Sequence, residues 1–140
     1  MMLFLCAQDL QQLWIGLLNE ETFHVIERKD IFPEGYLNEI DLFLKRNEIR
    51  LEDLTGLSIV TGPGSFTASR ISLTIANTLH FTHKLPLFVL KNEENLSPIE
   101  LISKFGVGQK VEEEEYAHAF YNRPPHITSP FGDKPLDATA

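Results

Sequence analysis

The chain has 140 residues, 43% of them apolar, which suits one domain with its own core and a short extension. Its net charge of −8 argues against nonspecific binding to nucleic acid, which depends on counterion release by Lys and Arg. The single cysteine, Cys6, permits no intramolecular disulfide and suits a reducing cytoplasm. Met1–Ala7 is apolar but lacks a basic lead and is too short for a signal peptide, and no apolar run approaches the ~20 residues of a membrane span.

In chain order, Leu3–Cys6 reads as a strand. Gln11–Leu18 and Thr22–Arg28 alternate in part, and Asn19-Glu20-Glu21 supplies a turn between them, so the two form a hairpin. Pro33-Glu34-Gly35 opens a helix that runs to about Asn47. Leu37, Ile40 and Leu44 form its apolar stripe and Phe43 widens it. Glu34 in the first turn and Lys45 and Arg46 in the last complement the helix dipole. Leu57–Val60 is a short strand rich in β-branched residues. A helix follows from Thr67 to about Phe81, with Ile71, Ile75 and Leu79 on one face and Leu73, Ala76 and His80 off it. Pro86–Leu90 is the next strand. Ser97-Pro98-Ile99-Glu100 has a cap, a proline at the first helical position and an acidic first turn, so a short helix reaches Phe105. Periodicity then fades. Glu112–Glu115 is a solvated acidic run, and four prolines from Pro124 onward predict an extended tail, mobile from about Phe131. The expected division is a lobe over 1–105 and a tail over 106–140.

The most specific stretch is Thr61-Gly62-Pro63-Gly64-Ser65-Phe66-Thr67, between a strand and a helix. Gly62 and Gly64 allow unusual backbone angles, Pro63 fixes the turn between them, and Ser65 or Thr67 can cap the helix. A strand turning through glycines into a helix points backbone N–H groups outward, as an anion site requires. Gly62, Gly64, Ser65, Thr67 and Arg70 are therefore candidate anion ligands. The sequence lacks the Gly-Lys-Ser/Thr ending of a P-loop, and Asp9 is the only carboxylate near the end of the first strand. A tight strand-to-helix joint or a partner contact explains the same residues, with Phe66 as an anchor into the core. No other chemistry is as well supported. His80 and His83 have no acidic or cysteine third ligand nearby, and Ser65 and Thr67 have no assigned base, so no catalytic or metal residue is assigned.

The loop resembles the GPGSFTG-x-R signature of the TsaB (YeaZ) family. Gly62 through Thr67 match without a gap, and Arg70 stands where the family has its arginine. Ala68 and Ser72 replace glycines, and Ser69 replaces a leucine. Glu52–Leu57 and Lys84–Val89 are similar to the family's flanking segments, and Ala119–Pro125 is similar to its closing tyrosine-x-arginine-proline segment. The family's first strand ends in Asp-Thr-Ser, whereas Ala7-Gln8-Asp9 stands here. Only Lys91 to roughly Tyr116 is available for a second lobe, so the chain resembles a family member reduced to its first lobe.

The resemblance implies the ribonuclease-H-like half of the actin and sugar-kinase (ASKHA) superfold. The expected sheet is α/β, mixed and five-stranded. Its first three strands would be antiparallel and the later two parallel to the first, with helices mainly on one face. It also implies a cytoplasmic, noncatalytic subunit in the making of threonylcarbamoyladenosine on tRNA. Such a subunit would bind and activate a TsaD-like catalytic paralogue, and a TsaE-like ATPase could join them. ATP and magnesium would serve the complex, tRNA would be contacted only indirectly, and this chain alone would need no cofactor. In the family the first and second helices build the heterodimer interface and a homodimer interface, which makes Leu37, Ile40, Leu44, Ile71, Ile75 and Leu79 the candidate partner residues. The alternatives are a degenerate nucleotide-binding domain and a homodimeric interaction module.

Overall fold

The computed structural model describes residues 1–112 and 116–118. Three antiparallel strands open the chain: β1 (Met2–Asp9), β2 (Gln12–Asn19) and β3 (Thr22–Lys29). A single 3-10 turn at Pro33–Gly35 leads into α1 (Tyr36–Arg46). A second such turn, Leu51–Asp53, precedes β4 (Gly56–Gly62), and α2 (Phe66–Thr82), β5 (Leu87–Lys91), α3 (Pro98–Phe105) and β6 (Gln109–Lys110) follow. The sheet order is β3-β2-β1-β4-β5-β6, with β4 parallel to β1 and β5 parallel to β4.

This is the expected mixed α/β sheet with one strand more than the five foreseen. The addition, β6, pairs antiparallel with β5 through only two residues, Gln109 opposite Val89 and Lys110 opposite Phe88. Both side chains are exposed, so no apolar alternation marks the strand in the sequence. The Ser58 hydroxyl donates to the Val107 carbonyl at 2.8 Å and the Val111 amide to the Leu87 carbonyl at 2.8 Å, so the chain after Phe105 continues along the sheet. The tail segment Ala119–Pro125, His126 and the stretch from Phe131 lie outside the described residues.

Alternation along the strands builds two cores. Leu3, Leu5 and Ala7 of β1, Leu13, Ile15 and Leu17 of β2, and Leu57 and Ile59 of β4 face Tyr36, Ile40, Phe43 and Leu44 of α1 and Leu73 and Ala76 of α2. On the opposite face Phe4, Cys6, Leu18, Val60 and Leu90 meet Leu101 and Ile102 of α3. The Phe4 and Phe23 rings meet edge to face at 5.1 Å. Two of the three helices among the described residues thus share one face. On that side Arg46 bridges Glu27 of β3 (3.1 Å) and Glu39 of α1 (3.0 Å), tying the helix to the edge strand.

α2 crosses β1 and β4 on the first face. Its sheet side is Ala68, Ser69, Ser72, Leu73, Ala76 and His80, all buried. Small residues let the helix axis approach the strands closely. Ile71, Ile75 and Leu79, grouped on one face in the sequence, lie off that side: Ile71 is exposed, and Ile75 and Leu79 are half-buried at the core margin.

Candidate functional site

The loop from β4 to α2 lies at the carboxyl ends of the parallel strands, between β1 and β5. Gly62 sits at φ 128°, a backbone region that other residues rarely adopt, and its peptide bond to Pro63 is cis. Ser65 caps α2: its Oγ accepts from the Ala68 amide at 3.2 Å. Thr67, the other foreseen cap, lies inside the helix and is exposed.

The loop is closed from the β1 side. The Ser65 amide donates to the Gln8 carbonyl at 2.7 Å. Gly64 runs so close to β1 that a Cβ there would stand 2.4 Å from the same oxygen. The Gln8 side-chain amide donates to the Pro63 carbonyl, and its Oε1 accepts from Asn92 Nδ2 at 2.9 Å. Asn92, buried at the end of β5, also donates from its backbone amide to the Gly62 carbonyl at 2.9 Å. Its side chain holds both the amide and the carbonyl of Leu96.

A phosphate cradle needs open amides and room beside them. Here Gln8 fills the β1 side of the loop and takes the Ser65 N–H, so the geometry does not fit a phosphate there. Asp9 points elsewhere: its Oδ1 accepts from the Gln11 amide at 2.9 Å in the β1–β2 turn. Gln8 and Asn92 were not among the sequence candidates. The missing Asp-Thr-Ser triplet was the available signal for Gln8, while Asn92 carried none.

Arg70 and Phe66 lie on the outer side of α2. The Arg70 guanidinium stands over the Phe66 ring at 5.0 Å. Phe66 is 47% exposed, which corrects the expectation of a core anchor. It is the first residue of α2, and the buried place nearby belongs to Ala68. His80 is buried with Nδ1–H donating to the Leu85 carbonyl at 2.7 Å, whereas His83 is exposed and pairs with Thr82 Oγ1 at 2.9 Å. Among the described residues no three His, Cys, Asp or Glu side chains gather as a metal site would require.

The six candidate partner residues divide. Ile40 and Leu44 are only 4% and 5% exposed and lie in the core with Tyr36 and Phe43, so the α1 stripe below Leu37 is spent on the sheet. Leu37 is 64% exposed. On α2, Ile71 is exposed, while Ile75 and Leu79 are half-buried along the core margin.

The outer face of α2 is more apolar than its sequence suggests. Thr74, Thr78 and Thr82 are exposed, but their hydroxyls donate to the carbonyls of Arg70, Thr74 and Thr78 at 2.8, 2.7 and 2.7 Å. With each hydroxyl turned to the backbone four residues back, the Cγ methyl is left for the outside. Ile71 and Phe81 flank this threonine row, and both are exposed.

Residues 34–97 match the family model for TsaD, tRNA N6-adenosine threonylcarbamoyltransferase. Among solved structures, YeaZ from Pseudomonas aeruginosa is similar with a TM-score of 0.57 at 20% identity, over 64% of this chain and 43% of that one. A structure described as an uncharacterized protein with similarity to peptidase YeaZ from Pseudomonas aeruginosa gives 0.57 at 20% identity, over 64% and 42%. Among curated protein sequences none matches. The chain spans less than half the length of the solved proteins it resembles. The resemblance read from Gly62–Thr67 thus holds in three dimensions: this chain has the ASKHA-type fold seen in YeaZ, and its stretch from α1 to β5 carries the sequence pattern of the TsaD family.

Proposed function

We propose that the chain serves the threonylcarbamoyladenosine modification of tRNA as a noncatalytic subunit that docks on a TsaD-like catalytic subunit. One observation carries the reading. The segment that matches the TsaD family contains α2, and α2 presents an outward face of Ile71, Phe81 and backbone-bonded threonines. Related lobes pair readily about a pseudo-two-fold axis through equivalent helices, as identical ones do about a true one. Docking buries this face and shifts the partner toward its competent state.

The closed β4–α2 loop supports assigning no nucleotide chemistry to this chain alone. ATP and magnesium then belong to the assembled complex. The net charge of −8 leaves contact with tRNA phosphates to the partner. Reconstitution tests the reading: modified adenosine on tRNA should form with the TsaD-like subunit plus this chain and drop at least tenfold without it. Equal formation with and without the chain would refute the reading.

A further inference from the structure

α2 carries a second feature, on the flank away from Ile75. Asn77 holds the backbone of Ala117 by both of its polar groups: the Ala117 amide donates to Asn77 Oδ1 at 2.8 Å, and Asn77 Nδ2 donates to the Ala117 carbonyl at 3.0 Å. A side-chain amide that takes both groups of one residue acts as a neighbouring strand would. Ala117 is 7% exposed and joins the core under α2. The preceding residue, Tyr116, lays its ring beside Phe81, with centroids 6.4 Å apart and planes tilted by 37°. Both rings remain exposed, at 52% and 67%.

We propose that Asn77 is a positioning residue: it seats the chain's own 116–118 segment on α2 as a strap and thereby adds Tyr116 to the outer face. The occupant of this flank is the chain's own segment, bound in cis. Asn77 and Phe81 are one helical turn apart and point the same way. Clamping Ala117 holds its neighbour Tyr116 with its ring beside Phe81. The strap hides the polar Asn77 and leaves two rings outward, so it completes the docking face and does not cover it. The consequence for partner binding rests on the proposed function, while the strap itself does not.

The test uses the full chain and Asn77→Leu, which keeps side-chain size and raises helix propensity but cannot form either hydrogen bond. Amide exchange and ring-to-ring contacts are read by NMR. In the parent protein the Ala117 amide should exchange slowly and the Phe81 and Tyr116 rings should show mutual contacts. In Asn77→Leu, Ala117 exchange should speed up by on the order of tenfold or more, as expected when two hydrogen bonds of an opening segment are lost. The ring contacts should vanish, while the amides of Leu73 and Ala76 in α2 stay protected. Unchanged Ala117 exchange would overturn the strap. Asn77→Asp, which keeps the acceptor for the Ala117 amide but opposes its carbonyl, should fall between the two. Binding to the TsaD-like subunit is the second readout. Asn77→Leu and Tyr116→Ala should weaken it by the same factor, and the double variant by no more than either. Full binding by Asn77→Leu with Ala117 released would overturn the positioning role. Failure of the parent chain to bind would refute the partner reading, and the exchange data would still decide the strap.

Discussion

Asn92 and Gln8 stand 84 residues apart in sequence and share a 2.9 Å hydrogen bond from Nδ2 to Oε1. Through it the ends of β5 and β1 close around the loop that leaves β4 between them. Gln8 lies near the end of β1, on the side of the β4–α2 loop that faces this strand. A carboxamide there can donate as well as accept, and it uses both capacities inside the protein.

Asn92→Ala removes the donor to Gln8 and both side-chain bonds to Leu96 at a buried position. Groups left unpaired inside a protein are costly, so a loss of about 2–3 kcal/mol is expected. Gln8→Ala, at a half-buried site, should cost about 1 kcal/mol. Urea midpoints at constant m-value give both. Equal, negligible losses would show that the clamp contributes nothing.

Gly64→Ala should destabilise by about 3 kcal/mol, the upper range for overpacking, because the added carbon meets the backbone of β1. Ala at Gly35, where a Cβ would touch only the Ile31 side chain at 3.8 Å, should be tolerated. A thermal shift of several degrees for the first and almost none for the second is the expected contrast.

Alkaline pH should weaken the fold through two buried groups. Burial pushes the Cys6 thiol up from 9.0 to about 12. Burial, with smaller contributions from the charges of Cys6 and Asp9, pushes the Tyr36 phenol up from 10.0 to about 12. Both stay protonated in the folded chain where the unfolded chain has lost its proton. Stability from these groups is therefore complete below pH 9 and is lost as pH rises toward 12. The slope approaches about 1.4 kcal/mol per pH unit for each group. Cys6→Ala should flatten the decline that begins near pH 9. A stability flat from pH 8 to 11 in the parent chain would contradict these assignments.

Much of this fold was legible. Ser97-Pro98-Glu100 encodes its own helix start, and the structure shows the reciprocal bonds: Ser97 Oγ takes the Glu100 amide, and Glu100 takes the Ser97 amide, which holds the Glu100 carboxyl below its usual range. The hairpin at Asn19–Thr22 was legible from its polar turn, where Glu20 adopts φ 61°. The faces of α2 were not. Apolar periodicity grouped Ile71, Ile75 and Leu79 without telling which face meets the sheet, and the structure puts Leu73, His80 and the small Ala68, Ser69, Ser72 and Ala76 there. Residue type alone also hid the threonine methyls, because hydroxyl direction is set by the backbone four residues back. The clamp was hidden for another reason: Gln8 and Asn92 meet only when β1, β4 and β5 are aligned.

The two halves of the sequence-read partner stripe should separate on mutation. Ile40→Ala should cost about 2–4 kcal/mol as a core deletion. Ile71→Ala, at an exposed site, should stay within about 0.5 kcal/mol. Chemical denaturation distinguishes them, and similar losses at both sites would contradict the assignment of α2's outer face.

The most direct test is the mass of a mixture of this chain with the TsaD-like protein of the same source, by size exclusion with light scattering. A peak at the sum of the two masses is expected. Ile71→Asp, folded by circular dichroism, should return both proteins to separate peaks. Separate peaks for the parent chain, or an undiminished complex with Ile71→Asp, would contradict docking through α2.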